Sequence, residues 1–188
     1  EAEKPLKIYF FTRTAEDTYT VSAMVEGNGT AIYRVDYVDL NGSGCKEVVV
    51  SWQMSTGVYL LGAYSLEEAM VRSLQYAASA PAGSASAQGL PDREALRATE
   101  WMTTVYDNYA LYDLDQDTRT ELAVVRVDKA GTNSAVDLYG WRDGSFMVRA
   151  SAPLSMGISS GEKNGVETNF PKEDGDGPVR ALYISREL

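Results

Sequence analysis

Two acidic corners, Asp39-Leu-Asn-Gly-Ser-Gly44 and Asp113-Leu-Asp-Gln-Asp-Thr118, constrain this chain more than any other feature of its sequence. Superposing them pairs Asp39 with Asp113, Asn41 with Asp115, Ser43 with Asp117, Glu47 with Glu121 and Val48 with Leu122, at a constant offset of 74 residues. Each corner runs into an apolar strand and then a second strand that ends in an aromatic, Tyr64 or Trp141. A spacing shared by a loop and its flanks implies one β unit present twice, and duplicated units close their cores by stacking on a neighbour. A decayed third copy is read at Lys172-Glu-Asp-Gly-Asp-Gly177, without the first acid and the final glutamate.

The segments around the corners alternate and are rich in β-formers. Leu6 to Thr12 and Tyr19 to Val25 read as a hairpin around Ala15-Glu-Asp17. Ala31 to Tyr37, Glu47 to Trp52 and Val58 to Tyr64 follow as sequential strands, and short turns between them imply antiparallel neighbours. Ser65-Leu-Glu-Glu68 has the spacing of a capping box and predicts a helix to about Ala78, with Met70, Val71 and Leu74 near a 3.6-residue period. A second short helix is predicted from Pro91 through Glu94, Leu96 and Trp101. Beyond Val105 the β pattern returns at Tyr109 to Tyr112, Leu122 to Val127, Ala135 to Trp141 and Phe146 to Ala150. Ser155 to Gly177 reads mostly as loop, and Val179 to Ile184 as a final strand. The expected fold is mainly β: duplicated antiparallel units with one or two short inserted helices. Residues 1–75 form the first unit, 76–100 an Ala/Ser/Gly-rich linker with a short helix, and 101–188 the second unit, all within one domain by default.

Charge and composition remove several kinds of chemistry. With 188 residues, a net charge of -10 and no histidine, the chain lacks the clustered cations that nucleic-acid phosphates require. It also lacks the commonest acid/base group and transition-metal ligand, which excludes histidine-dependent triads and zinc-histidine sites within it. Cys45 stands alone, so no internal disulfide forms, and without a histidine partner it reads as an ordinary loop residue. No apolar run approaches the roughly 20 residues that span a bilayer as a helix, so no membrane span is expected.

The second corner carries the strongest chemical signal. Asp113, Asp115, Asp117 and Glu121 stand at positions 1, 3, 5 and 9, and alternate residues of a tight turn point inward. Four carboxylates with the Arg119 carbonyl make a hard oxygen shell suited to calcium. An EF-hand is excluded, because its twelfth position needs a bidentate acid and here holds Val124. The same spacing also serves an Asx-type turn, in which short acids accept nearby backbone amides and Glu121 caps the strand. The first corner offers Asp39, Asn41, Ser43 and Glu47, a weaker set with two formal charges, in which Gly42 and Gly44 serve positive φ.

Tyr112-Asp-Leu-Asp-Gln-Asp117 with Glu121-Leu-Ala-Val-Val125, and Val38-Asp-Leu-Asn-Gly-Ser-Gly44 with Glu47-Val-Val-Val50, resemble the D-x-D-G-D-G-x-x-E-L cores of FG-GAP/VCBS-type repeats. The match covers two stretches of about fifteen residues, with Thr118 where the family has its turn glycine. The resemblance implies β-propeller-like blades, calcium in the loops that keep their acids, and an extracytoplasmic setting, secreted or anchored as a bacterial surface lipoprotein. Two or three units are too few to close a ring, so an open sheet assembly or a fragment is expected. The role that follows is a non-catalytic binding module for a protein or glycan. The alternatives are a carbohydrate-active enzyme or its accessory domain, which needs two carboxylates facing across a cleft, and a structural spacer. Tyr106, Tyr109, Tyr112, Trp52, Trp101 and Trp141 are the rings considered for a binding face.

Overall fold

The structure, a computed structural model, describes residues 5–79, 94–127, 134–153, 164–169 and 181–186. In chain order its elements are β1 (Leu6–Ala15), β2 (Thr18–Gly27), β3 (Ala31–Val38), β4 (Glu47–Ser55), β5 (Val58–Ser65) and α1 (Glu67–Ser79). They continue with β6 (Thr99–Tyr106), β7 (Asn108–Tyr112), β8 (Glu121–Val127), β9 (Ser134–Arg142), β10 (Ser145–Pro153), β11 (Asn164–Asn169) and β12 (Ala181–Arg186). The chain is mainly β, as the alternation predicts, and α1 is the one helix among the described residues. Two compact units form: unit 1 comprises 1–38 and 45–104, unit 2 comprises 39–44 and 105–188.

Unit 1 holds the β1–β2 hairpin and a four-stranded sheet in the order β3-β4-β5-β6. Six consecutive residues of β4, Glu47 to Trp52, are buried. A central strand covered on both faces reads as a continuous run and not an alternating one, which is why Val48-Val-Val50 sits there. Its core joins Ala23, Val25, Val48, Val50, Trp52, Tyr64, Leu66 and Ala69, with Leu6, Ile8 and Phe10 of the hairpin packed against it. Trp52 brings a polar atom inside and satisfies it, its Nε1 donating to the Tyr64 hydroxyl at 3.1 Å.

Unit 2 repeats the plan as an antiparallel sheet in the order β7-β8-β9-β10, and β11 pairs with β12 as a separate ladder. Here β8 is the buried strand, and Ala123, Val125, Val136 and Leu138 form the core. Both sheets are sequential four-stranded meanders, the blade-like unit, and the described residues form no closed ring.

Several local expectations are corrected by long-range contacts. Ser65 does accept an amide, but that of Glu67 at 3.4 Å, and Glu68 turns to the Thr99 hydroxyl at 3.2 Å instead of completing a capping box. The buried face of α1 carries Ala69 and Ser73, with Leu66 buried just before its start, while Val71 and Leu74 are exposed. Polar anchors choose that face: Ser73 donates to the Val21 carbonyl at 3.0 Å, and Arg72 reaches the carbonyls of Ala95 and Arg97 at 2.9 and 3.0 Å. The helix expected through Leu96 and Trp101 is absent there. Met24 donates to the Leu96 carbonyl and accepts from the Ala98 amide, bridging Arg97 to β2, and Trp101 lies on β6. Asn164–Asn169 is a strand where loop is predicted. The third corner at 172–177 lies outside the described residues.

Gly27 closes β2 opposite Leu6, and a methyl group there would run into the indole of Trp52. That indole is buried and hydrogen-bonded, so it has little room to yield. Gly27→Ala is expected to cost about 1–3 kcal/mol through overpacking, seen as a lower urea midpoint at unchanged m-value. An unaltered midpoint would mean the indole is free to shift.

Candidate metal centre

The two corners are equivalent in backbone as well as in sequence. Each lies between strands of one meander: Val38 to Glu47 in the first, Tyr112 to Glu121 in the second, with the paired residues Val38–Glu47 and Tyr112–Glu121 at their bases. Asp39 Oδ2 accepts the Gly44 amide at 2.9 Å, and Asp113 Oδ2 accepts the Thr118 amide at 3.2 Å. Asn41 accepts the Ser43 amide at 2.8 Å, and Asp115 accepts the Asp117 amide at 3.1 Å. Positive φ recurs at Gly42 and Gln116 (74° and 64°) and at Gly44 and Thr118 (81° and 76°). Left-handed backbone suits glycine and costs a β-branched residue of the order of 1–2 kcal/mol, so Thr118 holds the turn under strain where Gly44 does not.

What differs is how each first aspartate is satisfied. The second oxygen of Asp39 accepts the Gly42 amide at 2.7 Å, so the whole carboxylate is occupied by the loop's own backbone. Asp113 Oδ1, the corresponding atom, is buried and has no hydrogen-bond partner. Carboxylate oxygens of Asp113, Asp115 and Asp117 converge to within 4.8 Å of one another, a group able to hold a metal ion. A buried anionic oxygen without a donor is costly, and three converging negative charges add repulsion. The arrangement favours a positive charge at its centre.

Arg119 supplies part of one. Its Nη1 lies 3.7 Å from Asp117, and its amide donates to Asp117 Oδ1 at 2.8 Å. The two corners also meet inside unit 2: the Thr120 amide donates to the Asp39 carbonyl at 3.0 Å, and a Cβ on Gly42 would stand 3.0 Å from the Arg119 side chain. Gly42 therefore serves close approach as well as positive φ, whereas Gly44 has open space beside it.

Glu121 stands apart from the converging group. Its side chain is buried at the start of β8, and Oε2 accepts the Leu114 amide at 2.8 Å, folding the corner back onto the strand. Burial pushes its carboxyl up to about 7, the Leu114 hydrogen bond opposes this, and Asp115, Asp117 and Asp113 add repulsion. Glu47 occupies the same place in the first unit and is equally buried. Of the sequence-derived ligands, then, Asp113, Asp115 and Asp117 come together, while Asp39, Asn41 and Ser43 shape a self-satisfied turn.

One polar cluster has no counterpart in the sequence reading. Asp137, buried on β9, accepts the Ser151 hydroxyl at 2.6 Å and pairs with Arg126, stitching three strands of unit 2. An acid set between Val136 and Leu138 in an apolar strand is its only sequence signal. Among the aromatics, Trp52 and Tyr106 are buried core and Tyr112 is exposed.

No protein-family model, curated protein or solved structure matches the chain. No helix of the described residues is long and apolar enough to cross a membrane.

Glu121 gives the site a pH signature. A carboxyl whose folded pKa of about 7 exceeds its ordinary 4.5 stabilises the fold fully below 4.5, and that contribution is lost as pH rises through 7. In metal-free buffer, melting temperature should fall across this window. Glu121→Gln, which keeps an acceptor for Leu114, should flatten the profile; an equally steep profile in the variant would assign the titration to another group.

Proposed function

We propose that this chain is a non-catalytic binding module of an extracytoplasmic protein, in which a calcium ion held by Asp113, Asp115 and Asp117 stiffens the β7–β8 corner. The observation that carries the reading is the buried, unpartnered Asp113 Oδ1 beside two further converging carboxylates. Hard anionic oxygens at this density favour calcium over softer metals. Glu121 holds the loop against β8 through Leu114. The acids converge on one point, which is the arrangement of ion ligation and not that of an acid/base pair working across a cleft. Resemblance to FG-GAP/VCBS-type repeats supports the surface setting and a protein or glycan as the partner. Calcium would act here as a strut: it neutralises the corner, and the neighbouring Asp39 loop, tied to Thr120, is ordered with it.

Isothermal calorimetry and thermal melting with calcium test this directly. Heat of binding and a rise in melting temperature are expected as calcium passes through roughly 0.1–1 mM, the range of extracellular modules, and both should vanish in Asp115→Ala. No heat and no shift in the parent chain would leave the corner as a plain Asx turn.

A further inference from the structure

The core of unit 1 is left open along β3, the terminal strand of its sheet. Register places Val35 and Tyr37 on the same face as Val50 and Val48, their partners on β4. The hairpin packs over that face through Leu6, Ile8 and Phe10, and Val48 and Val50 are fully buried. Val35 and Tyr37, by contrast, keep 44% and 52% of their surface exposed. The cover stops short of the terminal strand, and the gap is an apolar cleft of about 290 Å³, walled by Phe10, Phe11, Val35, Tyr37, Leu66 and Met70.

Local backbone and charge select what this cleft takes. Phe10 pairs with Ala23 and Phe11 with Val21, which leaves Ser22 as the extra residue of a bulge. Neighbouring side chains of a regular strand point to opposite faces, yet Phe10 and Phe11 both border the cleft, and a bulge is the device that re-aims them. Ser22 turns its hydroxyl onto the Phe10 carbonyl at 3.1 Å, which leaves this wall apolar. Tyr37 lies nearly parallel to Phe10, with ring centroids 6.4 Å apart. At the rim, exposed Lys46 holds its ammonium 5.8 Å from the centroid of the Tyr37 ring and, among the described residues, forms no ion pair. The ring contact occupies none of the ammonium's hydrogen-bond acceptor needs, so its donors face outward. An uncommitted cation beside an apolar cleft, on a chain of net charge -10, selects an anionic head on an apolar body. The cleft stands at the small end of ligand sites, roughly 300–1,000 Å³, so that body is short. Walls with few hydrogen-bonding groups disfavour a sugar, whose buried hydroxyls would go unpaired.

We propose that unit 1 binds a medium-chain alkyl carboxylate, its chain in the cleft bordered by Phe10, Phe11 and Tyr37 and its carboxylate on Lys46. The site needs no metal and is independent of the acidic corner in unit 2. Calorimetry of the whole chain with sodium decanoate, kept monomeric in metal-free buffer at low salt, tests it together with amide NMR shifts. Saturable binding of one decanoate per chain is expected, with shifts centred on Phe10 to Thr12, Ser22, Val35 to Tyr37 and Lys46. Affinity should fall about two- to fourfold for each methylene removed through octanoate and hexanoate. Decanol and decyltrimethylammonium should bind more weakly than decanoate. Lys46→Met should weaken decanoate by up to about fivefold, the worth of an exposed ion pair, and Lys46→Glu should shift the preference toward decyltrimethylammonium. Both substitutions are solvent-facing, and circular dichroism confirms that the fold is kept. Absence of saturable decanoate binding into the millimolar range overturns the proposal and leaves the cleft to a side chain of a protein partner. Shifts centred elsewhere, or decanol binding as tightly as decanoate, overturn it equally, as does a Lys46→Glu chain with unchanged preference.

Discussion

At each acidic corner the first aspartate accepts an amide five residues further along, from Gly44 in one loop and Thr118 in the other. This bond closes the loop into a compact turn, and the paired residues at its base then set the register of the central strand. Central strands buried on both faces, β4 and β8, follow in both units. A slip of one residue there would turn every side chain of the strand over. The corner bond is thus a constraint on the sheet as much as on the loop.

The two copies have resolved the same geometry in opposite ways. In the first, glycines occupy both positive-φ positions, and the backbone saturates the Asp39 carboxylate. In the second, Gln116 and Thr118 adopt those angles under strain, one Asp113 oxygen is left without a donor, and two further acids crowd beside it. Burial is the main cause of the raised Glu121 carboxyl, and repulsion from the same acids adds to it. Strain and uncompensated charge are concentrated in one of two otherwise matched loops.

The corners were legible because local rules govern them: short acids bond amides two to five residues away, whatever the distant fold does. The central strands were legible for a related reason, a continuous run of apolar residues behind each corner. The exposed face of α1 was not, since Val71 and Leu74 fit a helical period as well as the residues actually buried. Hydrogen bonds from Ser73 to Val21 and from Arg72 to Ala95 and Arg97 decide it, and all come from distant segments. Leu96 to Trp101 failed similarly, because Met24 captures the backbone around Arg97. At the site, spacing grouped Glu121 with the other acids, but only packing shows that its carboxylate serves Leu114. The unpartnered oxygen of Asp113 depends on the detailed geometry of the turn, and no residue pattern encodes it.

Because Asp113-Leu114 and Asp39-Leu40 are already identical, the first corner can be written into the second with four changes: Asp115→Asn, Gln116→Gly, Asp117→Ser and Thr118→Gly. Thermal melting of this chimera with and without calcium tests the equivalence of the corners and the distinct role of one. The account predicts a folded chain at least as stable as the parent in metal-free buffer and indifferent to calcium. A chimera that fails to fold would contradict the shared geometry, and one that still responds to calcium would contradict the assignment of the ion to Asp113, Asp115 and Asp117.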